Sequence, residues 1–344
     1  MPSWDDVKAA RRTNAVLGAV TALALFVIVS RLTNIAGGVV AGLFLAVHPL
    51  SVYLSSLGVS DAPFTTMVAL TTLASMALAA KPTWGRAALL GLLLGLGAAT
   101  KLSPLFLALG LAGIGFVLVA EPLLRRIAPL RWLMDRVPGF GTQPGRRLGW
   151  MLLCQPVIAT GAFVVSYPFL WPDPMGRTRA LFAFRRYEMK NQARIWPDAS
   201  VDSRLEAFRR TWTMLEDRFS ATGDMLVTIG GTSSGRGFDV PLALCGLAIL
   251  VVLAFRRGVT SPTFLALAVA GGQALLIVVG LRVDFDRYYL PIVFLFAIGT
   301  GILAGSLWDL VLRVSEAWSR KSVREERPAA AFGPAPASTQ RSAD

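Results

Sequence analysis

Residues 86–120 read RAALLGLLLGLGAATKLSPLFLALGLAGIGFVLVA, and Arg86 and Lys101 are the only charged side chains in the stretch. Crossing the hydrocarbon core of a bilayer takes roughly 17–25 apolar residues of helix. The stretch holds two such lengths, 86–100 and 102–120, which meet at Thr100-Lys101-Leu102. It therefore predicts a tight hairpin of two membrane-crossing helices with a lysine at its tip. Comparable runs lie near 13–30, 34–52 and 62–80 before it, and near 148–170, 238–255, 262–281 and 288–311 after it. The expected fold is all-α, a polytopic transmembrane bundle of about nine helices. The second run is the weakest, because Pro49 cuts it.

Composition agrees. Of the 344 residues, 54% are hydrophobic and only 16% charged, and the mean hydropathy is +0.57. A soluble domain carries roughly 25% charged residues. The net charge of +13 does not point to nucleic acid. Its arginines cluster beside apolar runs, as in Arg125-Arg126, Arg146-Arg147 and Arg256-Arg257, which is the signature of membrane orientation rather than of a basic binding face. Cys154 and Cys245 lie inside apolar runs without metal-ligand neighbours, so neither a disulfide framework nor a metal site is expected. The single histidine, His48, reads as a packing residue. The first apolar run is too long for a signal peptide, and no small-residue cleavage site follows it.

The organisation expected is helices within 1–120, a basic loop at 121–147, a helix at 148–170, an extramembrane segment at 171–237, helices within 238–311 and a tail at 319–344. The 121–147 loop sets six arginines against Glu121 and Asp135. In 171–237, Leu205, Phe208, Trp212, Leu215 and Phe219 share one stripe at helical spacing, which predicts an amphipathic helix on the bundle or at the interface. Arg204, Glu206, Arg209, Arg210, Glu216 and Asp217 surround that stripe. The tail, rich in Arg, Ala, Pro and Ser, is expected to be disordered. Lys and Arg bias places 121–147 in the cytoplasm, together with Arg31, Lys81, Arg86, Arg256-Arg257 and the C-terminus. Asp61, Lys101, 171–237 and the stretch Arg282–Arg287 then fall on the outer side. Nine crossings also leave Lys8, Arg11 and Arg12 outside with no signal to translocate them, so either the weak second run is miscounted or a helix precedes this sequence.

The outer side gathers the chemistry. It holds Asp61, Lys101, Arg282, Asp284, Asp286 and Arg287. Such groups often serve only as interfacial anchors. Together they suit an anionic headgroup or a lipid-linked phosphate, with lysine as a point charge and arginine as a fork. Asp61 has a plainer reading as a helix cap shared with Ser60. Trp171, Trp196 and Trp212 could stack on sugar faces, although aromatics near a boundary more often form the interfacial belt. The glycines at Gly230-Gly231, Gly235 and Gly237 lack the Gly-Lys-Ser/Thr ending of a nucleotide loop.

Several pieces taken in order resemble lipid-carrier-dependent glycosyltransferases of the GT-C fold, the protein O-mannosyltransferase and aminoarabinose transferase groups. The pieces are His48-Pro49-Leu50, Ser60-Asp61-Ala62-Pro63 and the run Gly91 through Lys101, followed by Tyr167-Pro168-Phe169-Leu170-Trp171-Pro172-Asp173-Pro174 and Arg287-Tyr288-Tyr289-Leu290-Pro291. The resemblance implies a sugar donor on a polyprenyl phosphate, held by Lys101, with Arg287, Tyr288 and Arg282 assisting. It makes Asp61 the candidate catalytic acid, since inverting transfer needs a carboxylate to take the acceptor's proton. The family's principal carboxylate comes from its first outer loop. Here Arg12–Leu32 resembles the family's second helix, so that loop is expected to be missing, and Asp5 and Asp6 sit too close to the helix to replace it.

The expected function is thus a membrane glycosyltransferase that moves a mannose-like sugar to an extracytoplasmic protein or glycan. No cofactor and no nucleic-acid partner are expected beside membrane lipid and the donor. The Arg and Ala bias points to a GC-rich bacterium and the plasma membrane. A non-catalytic lipid-binding partner or truncated remnant is the alternative. A transporter is a weaker one, because no internal repeat and few mid-span charges are visible.

Overall fold

The computed structural model describes residues 3–230 and 237–325. Among them the chain is helical, apart from turns and one isolated antiparallel bridge between Ser200 and Val283. The first half contains α1 (Trp4–Leu32), α2 (Ile35–Val47), α3 (Pro49–Ser56), α4 (Asp61–Ala80), α5 (Trp84–Thr100) and α6 (Ser103–Val119). Next come α7 (Glu121–Leu124), α8 (Ala128–Arg136), α9 (Gln143–Ser166), α10 (Pro174–Ile195), α11 (Arg204–Thr213) and α12 (Ala221–Gly230). The last three are α13 (Asp239–Arg257), α14 (Pro262–Gly280) and α15 (Leu290–Glu325).

The helices α1, α4, α9, α13, α14 and α15 are each long and apolar enough to cross a membrane. The pair α2 and α3 makes a further span, bent by 57° at the break. Pro49 causes the bend. It cannot donate a helical hydrogen bond, and it holds His48 in an extended conformation (φ −62°, ψ 127°). The helices α5 and α6 have 17 residues each, at the short end of the crossing range of roughly 17–25. Every expected run therefore has its helix, and the chain is a multi-pass membrane protein.

Helix starts follow local chemistry. Asn34, Thr83, Thr142, Asp173, Ser203 and Ser261 each accept a backbone N–H of the first turn. Asp6 is spent in a reciprocal cap with Ser3. Interiors pack through small residues: a Cβ on Gly95 of α5 would lie 2.4 Å from the Ala159 carbonyl oxygen of α9.

Cross-ties fix which groups share an end of the bundle. The Asn14 amide donates to the Leu57 and Val59 carbonyls, tying α1 to the loop before Asp61. At the other end, Arg257 donates to the Leu32 carbonyl, Val259 N–H to the Pro138 carbonyl, and Arg86 to the Ala77 carbonyl. The basic groups expected on one side and the site residues expected on the other thus sit at opposite ends.

Three expectations are corrected. The 121–147 segment is not a plain loop: α7 and α8 are folded there, with Arg125 bridging Glu121 and Asp135, and α9 starts at Gln143 rather than 148. In α11 and the turn after it only part of the predicted stripe is packed: Leu215 is buried and Trp212 and Phe219 lie against the core, but the first two members face outward. Leu205 is 79% exposed and Phe208 57%, while Ala207, Thr211, Met214 and Leu215 are buried. Finally, α15 stays helical to Glu325, past the point where disorder was expected, and the tail's residues 326–344 lie outside the described residues. Residues 306–325 form a separate unit, in which Arg320 pairs with Glu316. Of the glycine-rich stretch, 231–236 also lie outside the described residues.

Candidate functional site: a cationic pocket at one end of the bundle

Lys101 is placed by the hairpin read from the sequence. Its N–H closes the last turn of α5 on the Gly97 carbonyl, and α6 starts two residues on at Ser103, with Pro104 in its first turn. This turn leaves the side chain free to fold onto the start of α4. There Lys101 Nζ pairs with Asp61 Oδ1, and the Asp61 side chain is only 2% exposed. Asp61 is therefore not a helix cap, because its carboxylate is committed to Lys101. The ammonium also lies 5.1 Å from the centre of the Phe64 ring and 5.2 Å from that of Tyr288. Burial lowers the Lys101 pKa from the ordinary lysine value, against the opposing pull of Asp61.

The stretch 282–289 completes one wall. Val201 N–H bonds the Arg282 carbonyl, and Asp284 N–H bonds the Ala199 carbonyl at 2.7 Å. Buried Tyr289 donates its hydroxyl to Asp284 Oδ1 at 2.6 Å, and Arg210 bridges Asp284 (3.6 Å) and Glu206 (2.7 Å). The wall is thereby pinned to the extramembrane helices. Arg287 stacks on Phe285 and Tyr288, with ring distances of 5.4 and 5.5 Å.

Asp61, Lys101, Arg282, Arg287 and Tyr288, the five residues singled out from sequence, all line one cavity of about 510 Å³. Trp171, Trp196 and Trp212 do not line it. Trp196 packs edge-on against Phe285, and Trp171 donates to the Val164 carbonyl. Asp5 is exposed and pairs with Lys8.

Sequence reasoning missed one wall. From α10 come Arg185, Arg186 and Glu188, and Phe182 meets Phe106 of α6 edge-on at 6.1 Å. The Arg185-Arg186 doublet was visible, but nothing local distinguished it from the other arginines of that segment. Leu276 and Ile277 of α14 add an apolar side. The cavity thus joins a hydrocarbon-compatible slot to a cluster of fixed positive charges. Among the described residues no group of three or more His, Cys, Asp or Glu is placed to hold a metal ion.

Residues 5–134 match the family described as dolichyl-phosphate-mannose-protein mannosyltransferase. This stretch is glycosyltransferase-like. The mannosyltransferase match bears out the resemblance drawn from His48-Pro49, Ser60-Asp61 and the run ending in Lys101. It spans α1 through most of α8 and ends before Arg282, Arg287 and Tyr288. No curated protein matches the chain. Among solved structures, the chain is similar to the oligosaccharyltransferase of Archaeoglobus fulgidus tethered to an acceptor peptide (TM-score 0.46, 12% identity, 87% of this chain and 38% of that one). It is also similar to an archaeal oligosaccharyltransferase from the same organism in complex with an inhibitory peptide and a dolichol-phosphate (TM-score 0.45, 13% identity, 90% of this chain and 40% of that one). The chain spans about two fifths of the length of these structures.

Proposed function

We propose that this protein transfers a mannose-like sugar from a polyprenyl-phosphate carrier to a protein or glycan hydroxyl at the pocket end of the bundle. The observation that carries the reading is Lys101, half-buried at the junction of an apolar slot and an arginine cluster inside the stretch that matches the mannosyltransferase family. The carrier tail would lie along Phe106, Leu276 and Ile277, and its phosphate would sit between Lys101, Arg282 and Arg287, with Tyr288 beside it. In the reaction the bond from the anomeric carbon to the phosphate oxygen breaks, and that oxygen keeps the electron pair. The acceptor oxygen bonds to the carbon, and its proton passes to a carboxylate. Asp61 takes this role once the phosphate has drawn off its partner Lys101. By the Lys and Arg bias, the pocket end faces out of the cell across the plasma membrane, and the C-terminus faces the cytoplasm.

The prediction is read in lipid nanodiscs by incubating the full chain with polyprenyl-phosphate mannose and acceptor. Arg287→Ala should weaken donor binding by roughly tenfold, the worth of one charge-assisted phosphate contact. Unchanged donor binding would remove Arg287 from the site. A second reading, a lipid-binding partner without catalysis, is favoured by the full engagement of Asp61 with Lys101. Donor binding without any sugar transfer by the wild-type chain would decide for it.

A further inference from the structure

The cavity carries more positive charge than the proposed donor brings in negative charge. Lys101, Arg185, Arg186, Arg282 and Arg287 line it, against Asp61 and Glu188, which leaves a net charge of +3. Lys101 and Asp61 neutralise each other, so the excess rests on the arginines. Glu188 is engaged by the Gln192 amide at 3.2 Å. Among the described residues, no carboxylate pairs with Arg185, Arg186, Arg282 or Arg287. The four arginines are exposed at the mouth of the cavity, so solvent screens part of their mutual repulsion, while Phe106, Phe182, Leu276 and Ile277 form the apolar walls between them. A bound anion relieves the repulsion, and an anion of higher charge relieves more of it.

The two ends of the proposed reaction differ in this respect. The donor is a phosphodiester with a single negative charge. The spent carrier is a monoester of roughly −1.5 to −2 charge near neutral pH, with a second pKa of about 6. We propose that the pocket holds the spent lipid-linked monoester more tightly than the phosphodiester donor, so that carrier release limits turnover and free carrier phosphate inhibits the protein. The inference rests on the donor-pocket reading and adds a regulatory consequence to it.

Three ligands with one polyprenyl tail test it on the full chain in nanodiscs: the free alcohol, the methyl phosphodiester and the phosphate monoester. The diester should bind more tightly than the alcohol, and the monoester roughly tenfold more tightly than the diester near pH 7.5. That last gap should narrow to roughly threefold near pH 5.5, where about a quarter of the monoester, with a second pKa of about 6, is still doubly charged. Arg185→Gln combined with Arg186→Gln should narrow the gap while the diester still outbinds the alcohol. If that variant fails to fold, the wild-type pH series decides alone. A monoester no tighter than the diester, or a gap that does not narrow between pH 7.5 and pH 5.5, overturns the inference and leaves the donor pocket standing. A diester no tighter than the alcohol overturns the donor pocket itself.

Discussion

Replacing Lys101 by methionine is expected to remove donor binding and to destabilise the bundle, through two separable causes. Among the described residues, Lys101 is the only partner of the Asp61 carboxylate, whose side chain is 2% exposed. Removing one member of a buried ion pair strands the other charge and typically costs about 3–5 kcal/mol. The thermal transition of Lys101→Met should therefore fall sharply. Replacing both members by apolar residues of similar size, Lys101→Met with Asp61→Leu, removes the stranded charge, and such exchanges are often neutral or stabilising. The double variant should thus recover most of the lost stability. It should not recover function, because the phosphate still lacks the Lys101 cation, and polyprenyl-phosphate binding should stay roughly 10- to 100-fold weaker than in wild type. Wild-type affinity in the double variant would show that Lys101 is only a structural ion-pair partner.

The second large effect concerns assembly rather than chemistry. Gly246 of α13 meets Gly299 of α15 backbone to backbone. A Cβ at position 246 would lie 1.7 Å from the Gly299 carbonyl oxygen and 2.4 Å from its carbonyl carbon. No rotamer change relieves this clash, so the helices must separate. Overpacking against movable side chains typically costs about 1–3 kcal/mol, and a fixed backbone yields less readily. Gly246→Ala should lower the thermal transition markedly, and Gly246→Leu should abolish monodisperse protein in size-exclusion chromatography. Gly161→Ala is the control, because nothing lies within 4 Å of its added Cβ. Equal behaviour of the 246 and 161 variants would contradict the close crossing of α13 and α15.

The membrane spans were legible because each is written as a long run with few charges, and the hairpin tip because a single lysine interrupts two such runs. The convergence of Asp61, Lys101, Arg282, Arg287 and Tyr288 was legible as a shared side of the membrane. Their meeting in one cavity was not, since it depends on the Ser200–Val283 bridge and on Arg210 holding Asp284. The first two members of the α11 stripe were misjudged for a physical reason, while Leu215 is buried as the stripe requires. Beside a bilayer, large apolar side chains such as Leu205 and Phe208 can face outward at little cost, while close packing selects small ones such as Ala207 and Thr211. The end of α15 was misjudged because composition ignores propagation: once a long helix is formed, each further residue adds a hydrogen bond without a new nucleus. Arg185 and Arg186 reach the pocket only through the path of α10, which no local pattern reveals.

The most direct measurement is photolabelling of the full chain in nanodiscs with a polyprenyl phosphate that carries a diazirine next to the phosphate. Adducts mapped by peptide mass spectrometry should fall on Phe106 in α6, on Phe182–Gln192 in α10 and on Leu276–Ile277 in α14, and should disappear with excess unlabelled polyprenyl phosphate. Adducts spread over exposed apolar positions such as Leu43, Val157 and Val165, and indifferent to the competitor, would contradict the assignment of this pocket to a lipid-linked phosphate.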